Sequence, residues 1–272
     1  MKIIGIIPAR YASTRFPGKP LADINGKPMI QHVYERVKKA ANLCDVLVAT
    51  DDSRIYDCVH AFGGKAVMTD SDLPNGTARC EQAMRLWGGE ADAVMNIQGD
   101  EPLLDPVMID EVAELLQEDE CATLCRELVE EDNLTPGPSP NLGEGRDTGS
   151  PSCARRDLGR SLTNDPNTVK VVISQDGHAL YFSRSLIPYK RNTSSLPIYQ
   201  HIGIYGYRTD FLKKYVSLPS TPLSDAESLE QLKILEHGYR MRVKVTSSRS
   251  ESIGVDTPED LQRVREILNA EI

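Results

Sequence analysis

No apolar run in the 272-residue chain approaches the ~20 residues that a membrane-spanning helix needs, so none is expected. Positive charge is also in deficit. The 31 Lys and Arg stand against 40 Asp and Glu, a formal charge of -9, which argues against a nucleic-acid-binding surface of the usual basic kind. The six cysteines (Cys44, Cys58, Cys80, Cys121, Cys125 and Cys153) form no CxxC pair and no zinc spacing, and they are read as reduced thiols. A secretory leader is not expected, because Pro8 and Arg10 interrupt the short apolar run from Ile3 to Ile7. These absences point to a cytoplasmic protein with neither nucleic acid nor membrane as partner. The sequon Asn192-Thr193-Ser194 then has no meaning as a glycosylation site.

What is present is a composition of 40% hydrophobic and 26% charged residues, near the globular average. The first half alternates strand and helix signals. Strands are expected at Lys2 to Pro8, Val46 to Thr50, Lys65 to Thr69 and Ala93 to Gln98. Between them lie a helix opened by Pro28, with Ile30, Val33, Tyr34, Val37 and Ala41 on one face, and helices at Ser53 to Phe62 and Ala78 to Trp87. Asp105-Pro106 reads as an N-cap and first helical residue, opening a helix to about Gln117. This rhythm implies an α/β fold, a mostly parallel sheet with helices on both faces.

The second half is richer in strand. Asn167 to Ser174 and Ala179 to Arg184 form a hairpin signal around Asp176-Gly177, followed by strands at Ile202 to Tyr207 and Arg240 to Thr246. Helices are expected at Thr209 to Val216, Asp225 to His237 and from Pro258 onward, with capping boxes Ser224-x-x-Glu227 and Thr257-x-x-Asp260. The reading is one domain, 1–272, with a smaller β-rich lobe. Asn133 to Thr163 has no apolar period and is dense in Pro, Gly, Ser and Arg, so it reads as a flexible inserted loop. Lengthening a surface loop sixfold costs only about 1.5 kcal/mol, which the fold tolerates. A regulatory or partner-binding segment is the alternative.

Three motifs carry chemistry. The loop after the first strand, Pro8 to Pro20, places Arg10, Arg15 and Lys19 together with no acidic residue between them. With Ser13, Thr14 and backbone N–H groups it suits a polyphosphate, although it is neither a Walker loop nor a Rossmann fingerprint. A solvated basic loop is the bland alternative. Gln98-Gly99-Asp100-Glu101-Pro102 follows an apolar strand and offers a carboxylate for a hard cation such as Mg2+, or merely a turn cap. Asp256, in Gly254 to Asp260, is either a second ligand or an acidic charge at a helix N-terminus.

Taken together, the stretches IIPARYASTRFPGKPL, INGKPMI, ATDD, NIQGDEP, VKVV, ALYFSR, HIGIYGY, LEQLKILEHG and GVDTPEDL resemble the 3-deoxy-manno-octulosonate (Kdo) cytidylyltransferases, in family order and over nearly the whole chain except 133–163. The resemblance implies a Rossmann-like nucleotidyltransferase sheet and a Mg2+-dependent reaction of CTP with Kdo that yields CMP-Kdo and pyrophosphate for lipopolysaccharide. It implies a homodimer. Arg10, Ser13, Arg15 and Lys19 would bind the triphosphate, with Lys19, Arg10 and Asp100 catalytic and Asp100 and Asp256 holding Mg2+. Asn75, Gly76, Thr77 and Arg79 belong to a loop associated with the nucleotide, where the family's Ser and acidic residue are replaced by Asn75 and Ala78. Sugar-binding candidates are Gln98, Arg184, His201, Tyr205, Glu230 and Gln231. Of these, Glu230 and Gln231 are adjacent on a helix and cannot share one face.

Overall fold

The computed structural model describes residues 1–12, 16–128, 164–192, 195–250 and 253–270. In chain order these form β1 (Ile3–Ala9), a 3-10 turn (Lys19–Leu21), β2 (Asp23–Ile24), β3 (Lys27–Pro28), α1 (Met29–Val37), β4 (Asp45–Thr50) and α2 (Ser53–Ala61). They continue as β5 (Ala66–Met68), α3 (Gly76–Trp87), β6 (Ala93–Asn96), α4 (Pro106–Leu115) and β7 (Cys121–Leu128). The remainder is β8 (Lys170–Ile173), β9 (Ala179–Ser183), β10 (Ile198–Arg208), α5 (Thr209–Ser217), α6 (Pro222–Glu227), α7 (Glu230–Glu236), β11 (Arg242–Val245) and α8 (Pro258–Ala270). No helix among the described residues is long and apolar enough to cross a membrane.

Successive side chains of β1 point to opposite faces, and each face has its own core. Ile3 and Ile7 pack with Ile30, Val33 and Val37 of α1 and with Met108, Ile109 and Val112 of α4. Ile4 and Ile6 pack on the other side with Cys80, Ala83 and Met84 of α3 and with Phe211, Leu212 and Tyr215 of α5. The nine-stranded sheet runs β11-β7-β10-β6-β1-β4-β5, with β8 and β9 attached through β10. β1 pairs in parallel with β4 and β6, β4 with β5, and β7 with β11. Within that path only β10 runs the other way, antiparallel to β6 and β7. The mostly parallel α/β sheet read from the sequence is therefore the observed one. The hairpin of β8 and β9, paired to the start of β10, makes the β-rich lobe.

From β1 the chain goes to β4 on one side and later to β6 on the other. At such a reversal the crevice beyond the carboxyl ends of the strands is open to a ligand. A third, smaller core decides what faces that crevice. Ile24, Met29 and Leu103 bury Val255 and, from α8, Leu261 and Val264, so the end of the chain is folded back over the beginning.

Several expected elements shift. Pro28 is the N-cap of α1 and not its first residue, and Ala41 lies exposed beyond its end. α3 starts at Gly76, two residues earlier than expected. β7 has no counterpart in the sequence reading, and β10 is 11 residues long, with a bulge between Ile202 and Tyr205. The helix expected over Asp225 to His237 is two helices, broken at Ser228, which takes a left-handed φ of 50°. There the capping contact is Ser224 Oγ accepting from the Thr221 N–H, and Glu227 does not cap. The second expected box is present: Asp260 Oδ2 accepts from the Thr257 N–H at 2.8 Å and Thr257 Oγ1 accepts from the Asp260 N–H at 3.2 Å.

Candidate active site

The loop leaving β1 is closed by its own backbone. The Gly18 N–H donates to the Tyr11 carbonyl at 2.9 Å, and Gly18 adopts φ +72°, which favours glycine. That turn delivers Lys19 to a fixed place. On the neighbouring strand, a Cβ at Gly99 would lie 2.9 Å from the Pro8 carbonyl oxygen, so only glycine lets the end of β6 approach the end of β1. Asp100 follows directly. The Val255 N–H donates to the Asp100 carbonyl at 2.9 Å and draws Asp256 alongside.

The outcome is a cation shared by two carboxylates from distant parts of the chain. Lys19 Nζ lies 2.6 Å from Asp100 Oδ2 and 3.1 Å from Asp256 Oδ1. The helix cap of α8 is supplied by Thr257 and Asp260, and Asp260 Oδ2 also takes the Asp256 N–H at 3.0 Å. The Asp256 side chain is thereby released from capping, and it turns to Lys19. Arg10 reaches the other way, its guanidinium donating to the Leu73 carbonyl in the loop before α3. Ser13 and Arg15 lie outside the described residues, as does the 133–163 segment.

The Asn75 to Arg79 segment is the first turn of α3. Asn75 Oδ1 accepts from the Ala78 N–H at 2.9 Å, an N-cap that Ser would supply equally well. Arg79 has no exposed side-chain surface. It donates to Thr69 Oγ1 and, at 3.0 Å, to Asp51 Oδ2 at the end of β4, while burial pulls its pKa down. It is a buried brace under the loop, with Asp51 as its charge partner. Thr77 Oγ1 donates to Glu230 Oε2 at 2.8 Å and accepts from Asn96 Nδ2 at 3.2 Å, joining β6, α3 and α7 in one chain of bonds. Burial raises the Glu230 carboxyl pKa, which the Thr77 hydrogen bond and the Lys233 charge partly oppose.

Of the residues expected from sequence to meet the sugar, Gln98 donates through Nε2 to the Gly203 carbonyl at 3.3 Å. His201 is buried, and burial pushes its imidazole pKa down to about 3. Thr123 Oγ1 lies across the β10 bulge from the Ile204 and Ile202 carbonyls at 2.8 and 3.1 Å and shares a hydrogen bond of 2.9 Å with His201 Nε2. Tyr205 OH donates to Gln231 Oε1 at 3.4 Å, and the buried Gln231 Nε2 has no hydrogen-bond partner among the described residues. Glu230 and Gln231 are indeed divided, the first toward Thr77 and the second toward Tyr205. Arg184 is held differently from the others: its guanidinium donates to the carbonyls of Pro166, Glu227 and Ser228. Asp51 and Asn96 were not singled out from sequence, and Glu227 was read there only as a capping residue. Asp51 and Asn96 sit at strand ends beside the crevice, and that position was the signal available for them.

Among the described residues no three His, Cys, Asp or Glu side chains gather as a metal cage. The two carboxylates on Lys19 do suit a hard divalent ion that takes its other ligands from phosphate and water. Their side chains remain 31% and 45% exposed.

A site of this kind at a topological switch fits what the chain is similar to. A family described as cytidylyltransferase matches residues 4–245. The 8-amino-3,8-dideoxy-manno-octulosonate cytidylyltransferase of Shewanella piezotolerans is 45% identical over 267 residues, 96% of each chain. That of Shewanella frigidimarina is 45% identical over 268 residues, 97% of each. The solved structure of CMP:2-keto-3-deoxy-manno-octonic acid synthetase complexed with CTP superposes with a TM-score of 0.84 at 39% identity, covering 100% of both chains. With the matched family spanning most of its length and such relatives covering nearly all of it, the chain belongs to the cytidylyltransferase family.

Proposed function

We propose that this protein transfers CMP from CTP to the anomeric hydroxyl of 3-deoxy-manno-octulosonate, releasing pyrophosphate. The observation that carries the reading is the Lys19 ammonium held between Asp100 and Asp256 beyond the ends of β1 and β6. Transfer of a nucleotidyl group is mostly positioning plus neutralisation of charge. Arg10 and Lys19 bind the triphosphate oxygens, joined by Ser13 and Arg15 of the same loop, and Lys19 offsets the charge that grows on the α-phosphate. Asn75, Gly76, Thr77 and Arg79 shape the nucleotide side, Arg79 through Asp51 and Thr69. Asp100 and Asp256 would hold Mg2+, which when bound supplies Lewis-acid polarisation of the phosphate oxygens. The anomeric oxygen forms its bond to the α-phosphorus in line as the bond to the pyrophosphate oxygen breaks. Gln98, His201, Tyr205, Glu230 and Gln231 face the acid sugar with polar groups, and Arg184 shapes its wall. His201 enters as a neutral ring.

A second reading has a specific observation behind it. Relatives at 43–45% identity are named for the 8-amino-3,8-dideoxy sugar, which differs from Kdo at one position. An equimolar mixture of the two acid sugars with CTP and Mg2+, resolved by product mass, separates the readings. Mainly CMP-Kdo supports the first and mainly the amino product the second, while neither product overturns both. We further propose a cytoplasmic homodimer, each subunit one catalytic unit with 133–163 as an inserted loop. Sedimentation at twice the chain mass is the expected result, and a monomer contradicts it.

A further inference from the structure

Glu227 stands at the joint between α6 and α7, where a capping role was expected and is absent. Its carboxylate is turned to the end of β9. It accepts from Ser183 Oγ at 2.7 Å, from the Arg184 N–H at 2.9 Å and from the Tyr181 hydroxyl at 3.5 Å. Arg184 answers across the same gap, with Nε donating to the Glu227 carbonyl at 2.6 Å and Nη2 to the Ser228 carbonyl at 3.3 Å. The carbonyl of Arg184 is held as firmly, accepting from Lys170 Nζ at 2.9 Å. Lys170 is fully buried, and its other bonds go to the carbonyls of Asp165 and Thr168 at 2.8 and 2.7 Å. One residue thus has an anion on its N–H and a cation on its C=O, and charge-assisted bonds of this kind are roughly twice as strong as neutral ones.

The joint so held is an unusual one. Ser228 takes φ 50°, a left-handed conformation that a non-glycine residue keeps only where its surroundings over-determine it. Two residues later α7 begins, and its first turn carries Glu230 and Gln231. The direction of α7 sets the direction of the buried Gln231 amide, whose Nε2 has no partner among the described residues.

We propose that Glu227 is a positioning residue for the acid sugar: it locks the α6–α7 joint onto the end of β9 and so fixes the Gln231 amide in register with Tyr205. The inference rests on the acid-sugar reading above. Its test is steady-state kinetics of Glu227→Gln, Ser183→Ala and the double variant in the intact protein, with thermal melting in parallel. Glu227→Gln keeps the shape, removes the charge, and sets an amide against groups that donate. Its KM for the acid sugar is expected to rise about ten-fold, the cost of one charged hydrogen bond, while the KM for CTP stays within about two-fold. Ser183→Ala is expected to raise the sugar KM about three-fold. The double variant should raise the sugar KM by less than the product of the two single effects, because both act on the Ser183–Glu227 bond. Equal rises in both KM values, or an unchanged sugar KM in a folded Glu227→Gln protein, overturn the proposal. Should Glu227→Gln fail to fold, Ser183→Ala decides by the same split: a selective rise supports the proposal and no change overturns it. Wild-type protein that uses neither octulosonate overturns the acid-sugar reading itself, and this inference with it, before any variant is compared.

Discussion

Replacing Lys19 with Met keeps most of the side-chain stem and deletes the charge between Asp100 and Asp256. Two unit charges ~3 Å apart attract by about 5 kcal/mol at an effective dielectric of about 20. That gross figure overstates the loss of stability, because the carboxylates are 31% and 45% exposed and such pairs contribute about 1 kcal/mol or less each. The variant is therefore expected to lose about 1–2 kcal/mol, a fall of roughly 2–8 °C in melting temperature for a chain of this size. Turnover is expected to fall much further, by about 10²- to 10³-fold, the usual result of deleting a preorganised group aimed at developing charge. Pyrophosphate release at saturating CTP and acid sugar, together with a melting curve, reads both quantities. A variant that melts several degrees lower yet turns over within about three-fold of wild type would refute the assignment and leave Lys19 a strut.

Asp256→Asn is expected to lower turnover by about 10²-fold and to raise the Mg2+ concentration at half-maximal rate, as titration of the metal would show. Asn75→Ala removes the α3 N-cap and should cost about 1 kcal/mol in chemical denaturation, whereas Asn75→Ser should be within about 0.5 kcal/mol of wild type. Burial lowers the His201 pKa from 6.5 to about 3, so the ring stabilises the fold above pH 6.5 and that contribution is lost as pH falls toward 3. Between those limits the wild type should lose about 1.4 kcal/mol per pH unit from this group, and His201→Gln should lack that slope when denatured at pH 7 and 5. Deleting 133–163 is expected to leave pyrophosphate release and the melting temperature near wild type; loss of either would contradict its reading as a tolerated insertion.

The elements that were legible in the sequence are those whose cause is local. β1 and β4 are runs of β-branched and apolar residues, and Asp105-Pro106 opens α4 where a cap and a following proline must. β7 was not legible because Cys121-Ala-Thr-Leu-Cys-Arg-Glu-Leu128 holds little β propensity, and its strand state comes from pairing with β10 and β11. Likewise the pattern over 225–237 reads as one helix. At the break at Ser228, Glu227 and Arg184 bond to each other across 43 residues of chain, a contact that no window of sequence contains. The site divides along the same line. The chemical types of Lys19, Asp100 and Asp256 were visible, but that Asp260 takes the capping role while Asp256 turns to Lys19 was not. The partner of the buried Arg79 is Asp51, 28 residues earlier in the chain, a pairing that no local window of sequence contains.

The most direct test of the account is pyrophosphate release from CTP and Mg2+ by wild-type protein, with Kdo, with its 8-amino analogue, with a sialic acid, and with no acceptor. Release that requires one of the two octulosonates, with none from sialic acid or without acceptor, is the expected result. Release that needs no sugar, or none with either octulosonate while CTP still binds, would contradict it.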